Sequence, residues 1–299
     1  MSKRVMTCVW LVLLAAFHPV ADADNLRDRL RDLARGVKPS QQAPQTAEGN
    51  ASAAQEKQIR IPPIGNVSLE DEVRLGRQIA GNLLGAAPLV KDDELQHYVN
   101  RIGSWVAQQS DRPDLKWTFG VIQSDDINAF AAPGGYVFIT RGLYAKLKDE
   151  SELAGVLGHE IAHVQQKHHL KVVQKSQLMD LGATVLKKQF AKGESAAQRI
   201  IGGGAEILSR GLDKDAEFEA DRLGVVLAAR AGYDAWGLPS VLQEIGAVSS
   251  SDSSVGLLFK THPHPDERLN RLSDAMGDRL DSLKPSGNGN GRFYKLAAK

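Results

Sequence analysis

The sequence predicts an α+β fold that is mostly helical and holds one small β-sheet. Two segments, 153–164 and 213–224, repeat apolar or small residues at helical spacing around histidines or acidic residues. Two short runs of β-branched and aromatic residues, 117–123 and 136–140, are typical of strands. With 299 residues, of which 42% are hydrophobic, the chain is long enough for one sizeable domain with flanking segments.

The first segment, 1–23, is a predicted signal peptide. It has a basic start, an apolar run at 5–17 and a cleavage site of the A-x-A type at 21–23. The apolar run is shorter than the ~20 residues that span a bilayer, which favours cleavage over a permanent anchor. Export predicts a periplasmic location in a Gram-negative bacterium, or secretion elsewhere. Cys8 is the sole cysteine, so the mature chain would hold no disulfide and no lipid-attachment thiol.

The folded domain is predicted over 64–284, with flanking segments on both sides. Residues 24–63 begin with leucines at helical spacing and continue with a stretch rich in Ala, Gln, Pro and Ser, which predicts a short helix and a flexible linker. The first helices of the domain are expected near 68–84 and 92–109. The tail, 285–299, is rich in Gly, Asn and Lys and is expected to be disordered.

A turn and two strands are predicted ahead of the apolar helix at 153–164. Ala-Pro-Gly-Gly at 132–135 has the composition of a tight turn. The run at 136–140 that follows it would form one strand, and 117–123 would form its partner.

The most informative motif is H-E-x-x-H at 159–163, inside an apolar helical pattern. Residues four apart on an α-helix differ by about 40° around its axis, so His159 and His163 project from one face. Two imidazoles so placed can bind one zinc ion. Glu160 lies about 100° around the helix. Its carboxylate is therefore placed to contact a water at an open metal position rather than to bind the metal itself.

The flanks of this motif decide between a metal site and an ordinary surface helix. The motif fixes only three positions and therefore occurs by chance in many chains. Polar flanks would favour an ordinary surface helix. Here Asp149 and Ser151 are both of N-cap type, and Asp149 with Glu152 fits a capping box. The residues that follow are apolar or small, so the two histidines should face inward, where they need a metal or a hydrogen-bond partner.

A catalytic zinc site needs a third protein ligand and one open position, and the sequence offers two alternatives. His169 follows His159 by ten residues, the spacing of the metzincin pattern, but that pattern breaks its helix at a glycine. Gln166 stands there, followed by Lys167, and both favour a continuing helix. We therefore expect His168 and His169 to lie on a solvated helix face.

The second alternative lies 54 residues beyond His163, in an acidic helical segment. Glu217 and Asp221 share a helix face there with small residues such as Gly224, which would let two helices pack closely around one metal. Glu217 is the predicted third ligand, and Asp221 is predicted to accept a ring N–H from one histidine. Glu219 lies about 200° away from Glu217 and should point elsewhere. An exposed acidic helix face is the competing interpretation.

These motifs together carry a family resemblance. H-E-I-A-H at 159–163, E-F-E-A-D at 217–221, the stretch 128–143 and Thr261-His262-Pro263 follow one another in a known order and spacing. They resemble the HtpX/Oma/BepA-type zinc metallopeptidases, the gluzincin family that also holds the CAAX prenyl endopeptidase. The BepA-type members carry a helical-repeat array after the peptidase region, which is not found in this sequence, so the resemblance is to a soluble periplasmic type.

The resemblance implies roles for individual residues. The family's zinc ligands fall on His159, His163 and Glu217, with one zinc ion per chain, and its catalytic glutamate falls on Glu160. This agrees with the ligands reached above from helix geometry. The implied fold is zincin-like, with a small sheet whose edge strand lies over the active-site helix.

The same resemblance gives the second predicted strand a role. Tyr136, Val137 and Phe138 would form the edge strand, and a substrate in extended form would pair with its backbone. An ordinary core hairpin is the alternative.

The Thr-His-Pro motif is similar to a regulatory switch in some periplasmic relatives. We expect His262 to cap the open metal position and hold the enzyme latent. A helix-capping loop without metal contact is the alternative, and His264 is a weaker candidate for the switch.

The expected function is zinc-dependent hydrolysis of peptide bonds in misfolded or flexible cell-envelope proteins. The expected partners are unfolded or flexible polypeptides, together with the outer-membrane assembly machinery or the membrane surface. The net charge of +1 gives no footprint for nucleic acid. Residues 172–210 are expected to form a helical lid, and no part of that insert is apolar enough to cross a membrane.

Two other functions share the same metal chemistry. A chaperone-like binding protein would hold a closed or structural zinc site, because closed sites are structural and open ones catalytic. Hydrolysis of a non-peptide amide, such as a cell-wall link, is a further alternative. The oligomeric state is not indicated by the sequence.

Overall fold

The protein is described from a computed structural model over three ranges, which are 67–174, 212–279 and 293–296. The predicted signal peptide at 1–23 and the predicted linker at 24–63 lie outside these ranges. So do residues 175–211, which hold most of the predicted lid.

Two helices begin the described part of the domain, as the sequence predicted. Helix α1 spans Leu69–Ala86, and the Ser68 side chain accepts the Asp71 N–H at its start. Helix α2 spans Asp93–Ala107, with the Asp92 side chain accepting the Leu95 N–H. Both helices therefore begin at side chains that satisfy otherwise unpaired N–H groups.

The sheet has three strands: β1 at Thr118–Ile122, β2 at Ala129–Ala132 and β3 at Tyr136–Thr140. Their order in the sheet is β1-β3-β2, with β1 parallel and β2 antiparallel to β3. The turn between β2 and β3 needs glycine, because φ is 77° at Gly134 and 95° at Gly135. The sheet is small, as predicted.

The prediction that Tyr136, Val137 and Phe138 form the edge strand is wrong. All three lie on β3, whose backbone pairs with a neighbour on each side. The two edge strands are β1 and β2. The sequence of β2, Ala129-Phe-Ala-Ala132, does not predict a strand, because alanine is depleted in strands. The turn at 133–135 folds this segment back onto β3.

The remaining helices surround one buried helix. After the short α3 (Arg141–Tyr144), α4 spans Glu150–Gln165 and is buried along nearly its whole length. Helix α5 spans Lys214–Arg230, and α6 spans Gly237–Gly246. The last elements are a 3₁₀ turn at Ser253–Val255, α7 at Leu258–Thr261 and α8 at Pro265–Met276. Across the three described ranges, no helix has the length and apolar character that crossing a bilayer requires.

Helices α4 and α5 touch through their backbones. A Cβ atom added to Gly158 would lie 2.7 Å from the Gly224 carbonyl oxygen, and one added to Gly224 would lie 2.7 Å from the His159 backbone nitrogen. The predicted close packing of the two helices at Gly224 is therefore confirmed.

The expectation of a continuous helix through Gln166 and Lys167 is wrong. Helix α4 ends at Gln165, Lys167 has a φ of 57°, and helical backbone resumes at 168–174. Arg112 donates to the Val164 carbonyl at 3.3 Å, which gives one of the last carbonyls of α4 a partner. Helix propensity differs by only a few tenths of a kcal/mol for such residues, so tertiary contacts override it.

Residues 293–296 of the tail contact the helices at the start of the domain. Phe293 stacks on Tyr144 with ring centroids 5.3 Å apart, and the Tyr294 hydroxyl donates to Asp92 at 3.0 Å. Residues 293–296 therefore contact the helical part of the domain through these two side chains. Two aromatic side chains provide apolar area that a Gly- and Asn-rich composition conceals.

Candidate metal centre

Four buried side chains from three parts of the chain converge at one point. His159 and His163 of α4, Glu217 of α5 and His262 after α7 each offer a ligand atom, and these atoms all lie within 4.8 Å of one another. The Nε2 atoms of His159 and His163 are 2.9 Å apart, and Glu217 Oε1 lies 3.4 Å from His163 Nε2. The structure thus brings the three predicted zinc ligands together.

The donor chemistry of this cluster fits a cation. The Asp221 carboxylate lies 2.9 Å from His159 Nδ1 and can only accept, so the His159 Nε2 lone pair points into the cluster. Glu217 Oε1 is buried and has no hydrogen-bond partner within the described part of the chain. The Glu217 Oε1 lone pairs and the His159 Nε2 lone pair therefore face one another, and a divalent cation between them would turn their repulsion into attraction. Imidazole nitrogen and carboxylate oxygen are ligands that zinc takes.

Asp221 stands behind His159, as the sequence predicted, and is itself held by an arginine. Arg268 donates to both Asp221 oxygens, at 2.6 and 2.9 Å, in a bidentate pair. Burial alone would raise the pKa of the Asp221 carboxyl, but Arg268 and His159 hold it below its usual range. The carboxylate therefore stays charged behind the histidine.

Sequence reasoning missed Arg268. The residue is 4% exposed and lies on α8, six residues after His262. Arginine is almost never fully buried without a partner, so composition gives no hint of an inward-facing guanidinium. The sequence does predict the start of this helix at Pro265-Asp-Glu, and Arg268 follows one turn later. That position is the only local hint of its role.

His168 and His169 are buried beside the cluster, so the expectation of a solvated helix face is wrong. The helix break described above turns both rings inward. His168 Nδ1 lies 2.9 Å from His163 Nδ1, and His168 Nε2 lies 3.3 Å from Glu219 Oε2. Burial lowers the pKa of His168 and lowers that of His169 to about 3. Neither residue belongs to the group of converging ligand atoms among the described residues.

Glu160 lies next to the ligand cluster rather than in it. Its side chain is buried, and Oε2 has no hydrogen-bond partner among the residues that the structure describes. Burial raises the pKa of this carboxyl. A desolvated carboxylate with a raised pKa is a better proton acceptor than an exposed one.

The two histidines of the Thr-His-Pro-His segment lie in different places. His262 Nδ1 is 2.8 Å from Glu217 Oε2, inside the cluster. Burial would lower the pKa of His262, but the Glu217 carboxylate raises it overall. His264 is instead the N-cap of α8 and accepts the Asp266 N–H at 3.4 Å.

The wall beside Glu160 comes from β2 rather than from β3. Ala129, Phe130 and Ala131 line a crevice together with Glu160 and His262. The Tyr136, Val137 and Phe138 side chains are buried in the core clusters.

Comparison with known proteins relates this site to a family. Residues 93–276 match peptidase family M48. The chain is 30% identical to the beta-barrel assembly-enhancing protease of Yersinia pestis over 249 residues, 79% of this chain and 50% of that protein. It is 29% identical to the protein of that name from Escherichia coli (strain K12) over 226 residues, 73% of this chain and 46% of the other.

A more distant relative comes from a eukaryote. The mitochondrial metalloendopeptidase OMA1 of Schizosaccharomyces pombe is 25% identical over 177 residues, 59% of this chain and 52% of that protein. The chain thus spans about half the length of these curated relatives. The family match covers more than half of the sequence and includes every residue of the converging cluster, so the protein belongs to peptidase family M48.

Proposed function

We propose that the protein is a zinc-dependent endopeptidase. The observation that carries this proposal is the convergence of His159, His163 and Glu217 ligand atoms within 4.8 Å. Beside them lies the buried Glu160 carboxylate, whose Oε2 has no hydrogen-bond partner within the described ranges. Structural zinc sites have no use for such a carboxylate, whereas hydrolysis needs a base next to the metal.

Each residue of the cluster has a separate task in this proposal. His159, His163 and Glu217 would hold one zinc ion, which when bound polarises a carbonyl and lowers the pKa of a water to about 7. Glu160 accepts the proton of the attacking water and returns it to the leaving amine. Asp221 and His168 hold the two histidine rings in orientation from behind.

The structure supports a latent form of this enzyme. His262 contributes a fourth protein donor, and four protein ligands leave no open position for water. The crevice between β2 and His262 has a free volume of about 10 Å³, enough for about one water molecule. A peptide strand does not fit there, so we propose that His262 must leave the cluster before a substrate can bind.

Edge strand β2 supports a preference for extended substrates. The Thr140 N–H donates to the Asn128 carbonyl, so the alternation of an antiparallel pair directs the Ala131 backbone groups away from β3. No other strand pairs with this edge among the described residues. An extended peptide could pair there, with its scissile bond next to Glu160.

The names of the relatives guide the choice of substrate. Two of them are called beta-barrel assembly-enhancing proteases. We propose that this chain cleaves misfolded or flexible envelope proteins in the periplasm after export by residues 1–23. Contact with the outer-membrane assembly machinery, or with the membrane surface, is part of the same proposal.

Replacing Glu160 tests the proposed activity. Glu160→Gln should abolish cleavage of an unfolded substrate, by about 10²-fold or more, while the protein keeps one zinc ion, because the amide cannot accept the water proton. Cleavage is read by mass spectrometry and zinc by elemental analysis. Glu94→Gln is the matched control, since this carboxylate is exposed on α2 and lies outside the cluster, and it should leave cleavage within a few-fold of the parent. Cleavage retained by metal-replete Glu160→Gln protein would contradict the role.

Replacing His262 separates the latent enzyme from a chaperone-like protein with a closed site, which the four-donor cluster also fits. His262→Ala should open the fourth position and raise peptide cleavage several-fold, with zinc still bound. His264→Ala, on the exposed N-cap, should change cleavage little. A purely structural zinc site predicts instead that His262→Ala lowers zinc occupancy and yields no cleavage.

A further inference from the structure

An apolar cavity adjoins the metal cluster on the side of α6. It lies between the sheet edge, α4, α6 and the segment around α7. Its apolar walls come mainly from six side chains: Val156, Leu238, Val241, Leu242, Ile245 and Leu258. Four of these six lie on α6.

The polar wall of this cavity consists of the residues that surround the proposed reaction. His159, Glu160, His262 and Arg268 all line it. A group that enters the cavity is therefore next to both the proposed base and a proposed zinc ligand. Because it shares residues with the cluster, the cavity belongs to the same site. Its remaining walls are apolar, so it would accept an apolar group.

The size of the cavity restricts what can occupy it. Its free volume is about 40 Å³. One water needs about 10–15 Å³ on this measure, so three or four non-hydrogen atoms fit. The isobutyl group of a leucine has four such atoms, whereas an indole ring has nine. The cavity therefore has room for a branched aliphatic side chain, whereas a large aromatic one would require its walls to move.

We propose that this cavity is a specificity pocket for a branched aliphatic side chain of the substrate, at a position flanking the scissile bond. This inference rests on the proposed endopeptidase function and adds the substrate class. The four apolar side chains of α6 bury the substrate group and provide the binding energy. Because Ala129 of β2 also lines the cavity, a strand paired with the sheet edge can place one side chain directly into it.

Mapping the cleavage sites tests this proposal. An unfolded protein of mixed sequence is digested by the full zinc-loaded chain and by its His262→Ala variant, and the cuts are identified by mass spectrometry. Per available residue, Leu, Ile and Val should exceed Trp, Asp and Lys by at least about tenfold at one of the two positions flanking the cut, since a single hydrophobic pocket discriminates by about 10- to 200-fold per methylene. Equal use of all residues at both positions would overturn the pocket.

A variant that enlarges the cavity sharpens the test. Leu242→Ala removes three carbon atoms from one wall, so cuts next to Phe should gain at least about tenfold relative to cuts next to Leu. Leu272→Ala is the matched control, because Leu272 is equally buried, packs in the same apolar cluster as Leu242 and does not line the cavity. If Leu242→Ala fails to fold, Val241→Ala enlarges the same wall by a smaller amount and should shift the preference in the same direction.

A binding measurement separates failure of the pocket from failure of the proposed function. Peptide hydroxamates that carry isobutyl, indolylmethyl or no side chain are titrated by calorimetry into the zinc-loaded His262→Ala variant, in which the fourth metal position is open. The isobutyl compound should bind at least about tenfold more tightly than the other two, and Leu242→Ala should remove its advantage over the indolylmethyl compound. Selective binding without any cleavage would support the pocket and contradict the endopeptidase. Cleavage with no selectivity in either measurement would support the endopeptidase and contradict the pocket.

Discussion

The Nε2 atoms of His159 and His163 face the same point, but the Nδ1 atoms of the two rings contact different groups. His159 faces the Asp221 carboxylate, whose charge is balanced by Arg268. His163 faces the His168 ring, which in turn faces the half-exposed Glu219. For the Nε2 atom of His163 to bind a metal, its Nδ1 must carry the proton, so His168 Nδ1 must accept and His168 Nε2 must donate to Glu219. This chain fixes the tautomers of both rings.

His168 should therefore control how tightly the metal is held. We expect His168→Ala to weaken zinc binding by about 10- to 100-fold, the usual cost of losing the partner of a ligating histidine. His168→Asn offers an amide oxygen as acceptor and should recover part of the affinity. Zinc affinity is measured by competition with a chromophoric chelator.

His264→Ala provides the control for this experiment. It removes an exposed imidazole that touches no ligand, so zinc affinity should stay unchanged. Equal affinity in His168→Ala and the parent would show that His163 does not need its neighbour.

At the residue scale, the sequence predicted what a short motif can encode. The spacing of His159 and His163 places two imidazoles on one helix face whatever surrounds them, and small neighbours on the α5 face point to Glu217. The roles of His168 and Arg268 depend on a helix break and on a distant helix, respectively. No local pattern records either, because both result from tertiary packing.

At the scale of elements, the site depends on the contact between α4 and α5. The backbones of Gly158 and Gly224 lie so close that neither position has room for a side chain. The spacing of the metal ligands across the two helices is set by this contact.

Gly224→Val should damage both stability and the metal site. Its Cβ would lie 2.7 Å from the His159 backbone nitrogen, so the helices must separate. We expect a loss of about 1–3 kcal/mol in the free energy of unfolding and weaker zinc binding, because His159 moves away from Glu217. Both are measured, by denaturant unfolding and by chelator competition.

Ala229→Val introduces the same β-branched residue on α5 where the side chain is half-buried. This control should cost less than about 1 kcal/mol and leave zinc affinity intact. If Gly224→Val loses no more stability and no more zinc affinity than Ala229→Val, the two helices can separate without disturbing the metal site, which would contradict the prediction.

Helices were predicted more reliably than the strand at the sheet edge. Ser68, Asp92 and Asp149 accept the first N–H groups of their helices. The sequence predicted such a cap at Asp149 or Ser151, and the structure has it at Asp149. In the capping box of α4, the Glu152 carboxylate accepts the N–H of Lys148 rather than that of Asp149. Strand β2 has weak strand propensity and exists because a glycine turn folds it onto β3. Pairing of this kind is decided by contacts outside the segment, so composition alone did not predict it.

On the scale of the whole molecule, the metal cluster connects distant parts of the chain. Its four members come from α4, α5 and the segment after α7, and 103 residues separate the first from the last. A ligand that binds only the folded state stabilises it by mass action. Zinc should therefore act as a cross-link between elements that pack around a charged centre.

Removing zinc should lower the thermal stability. At a free zinc concentration of about 1,000 times Kd, the loss is about 4 kcal/mol. For a domain of about 200 residues this corresponds to a fall in Tm of roughly 8–16 °C. Calorimetry with and without a chelator measures the change.

Two variants calibrate this measurement. Glu160→Gln keeps the ligands and should show the same fall on chelation. Glu217→Gln loses a charged ligand and should show a smaller one. An unchanged Tm for the parent after verified zinc removal would contradict a metal that joins these elements.

Arg268 has a consequence for how the segment around His262 can move. Its two bonds to Asp221 fasten the first turn of α8 to α5, while His262, six residues earlier, reaches the cluster from a stretch that begins after α6. Pro263 and Pro265 stiffen the connection between the two. Displacement of His262 would therefore leave Arg268, Asp221 and the Asp221 contact with His159 in place.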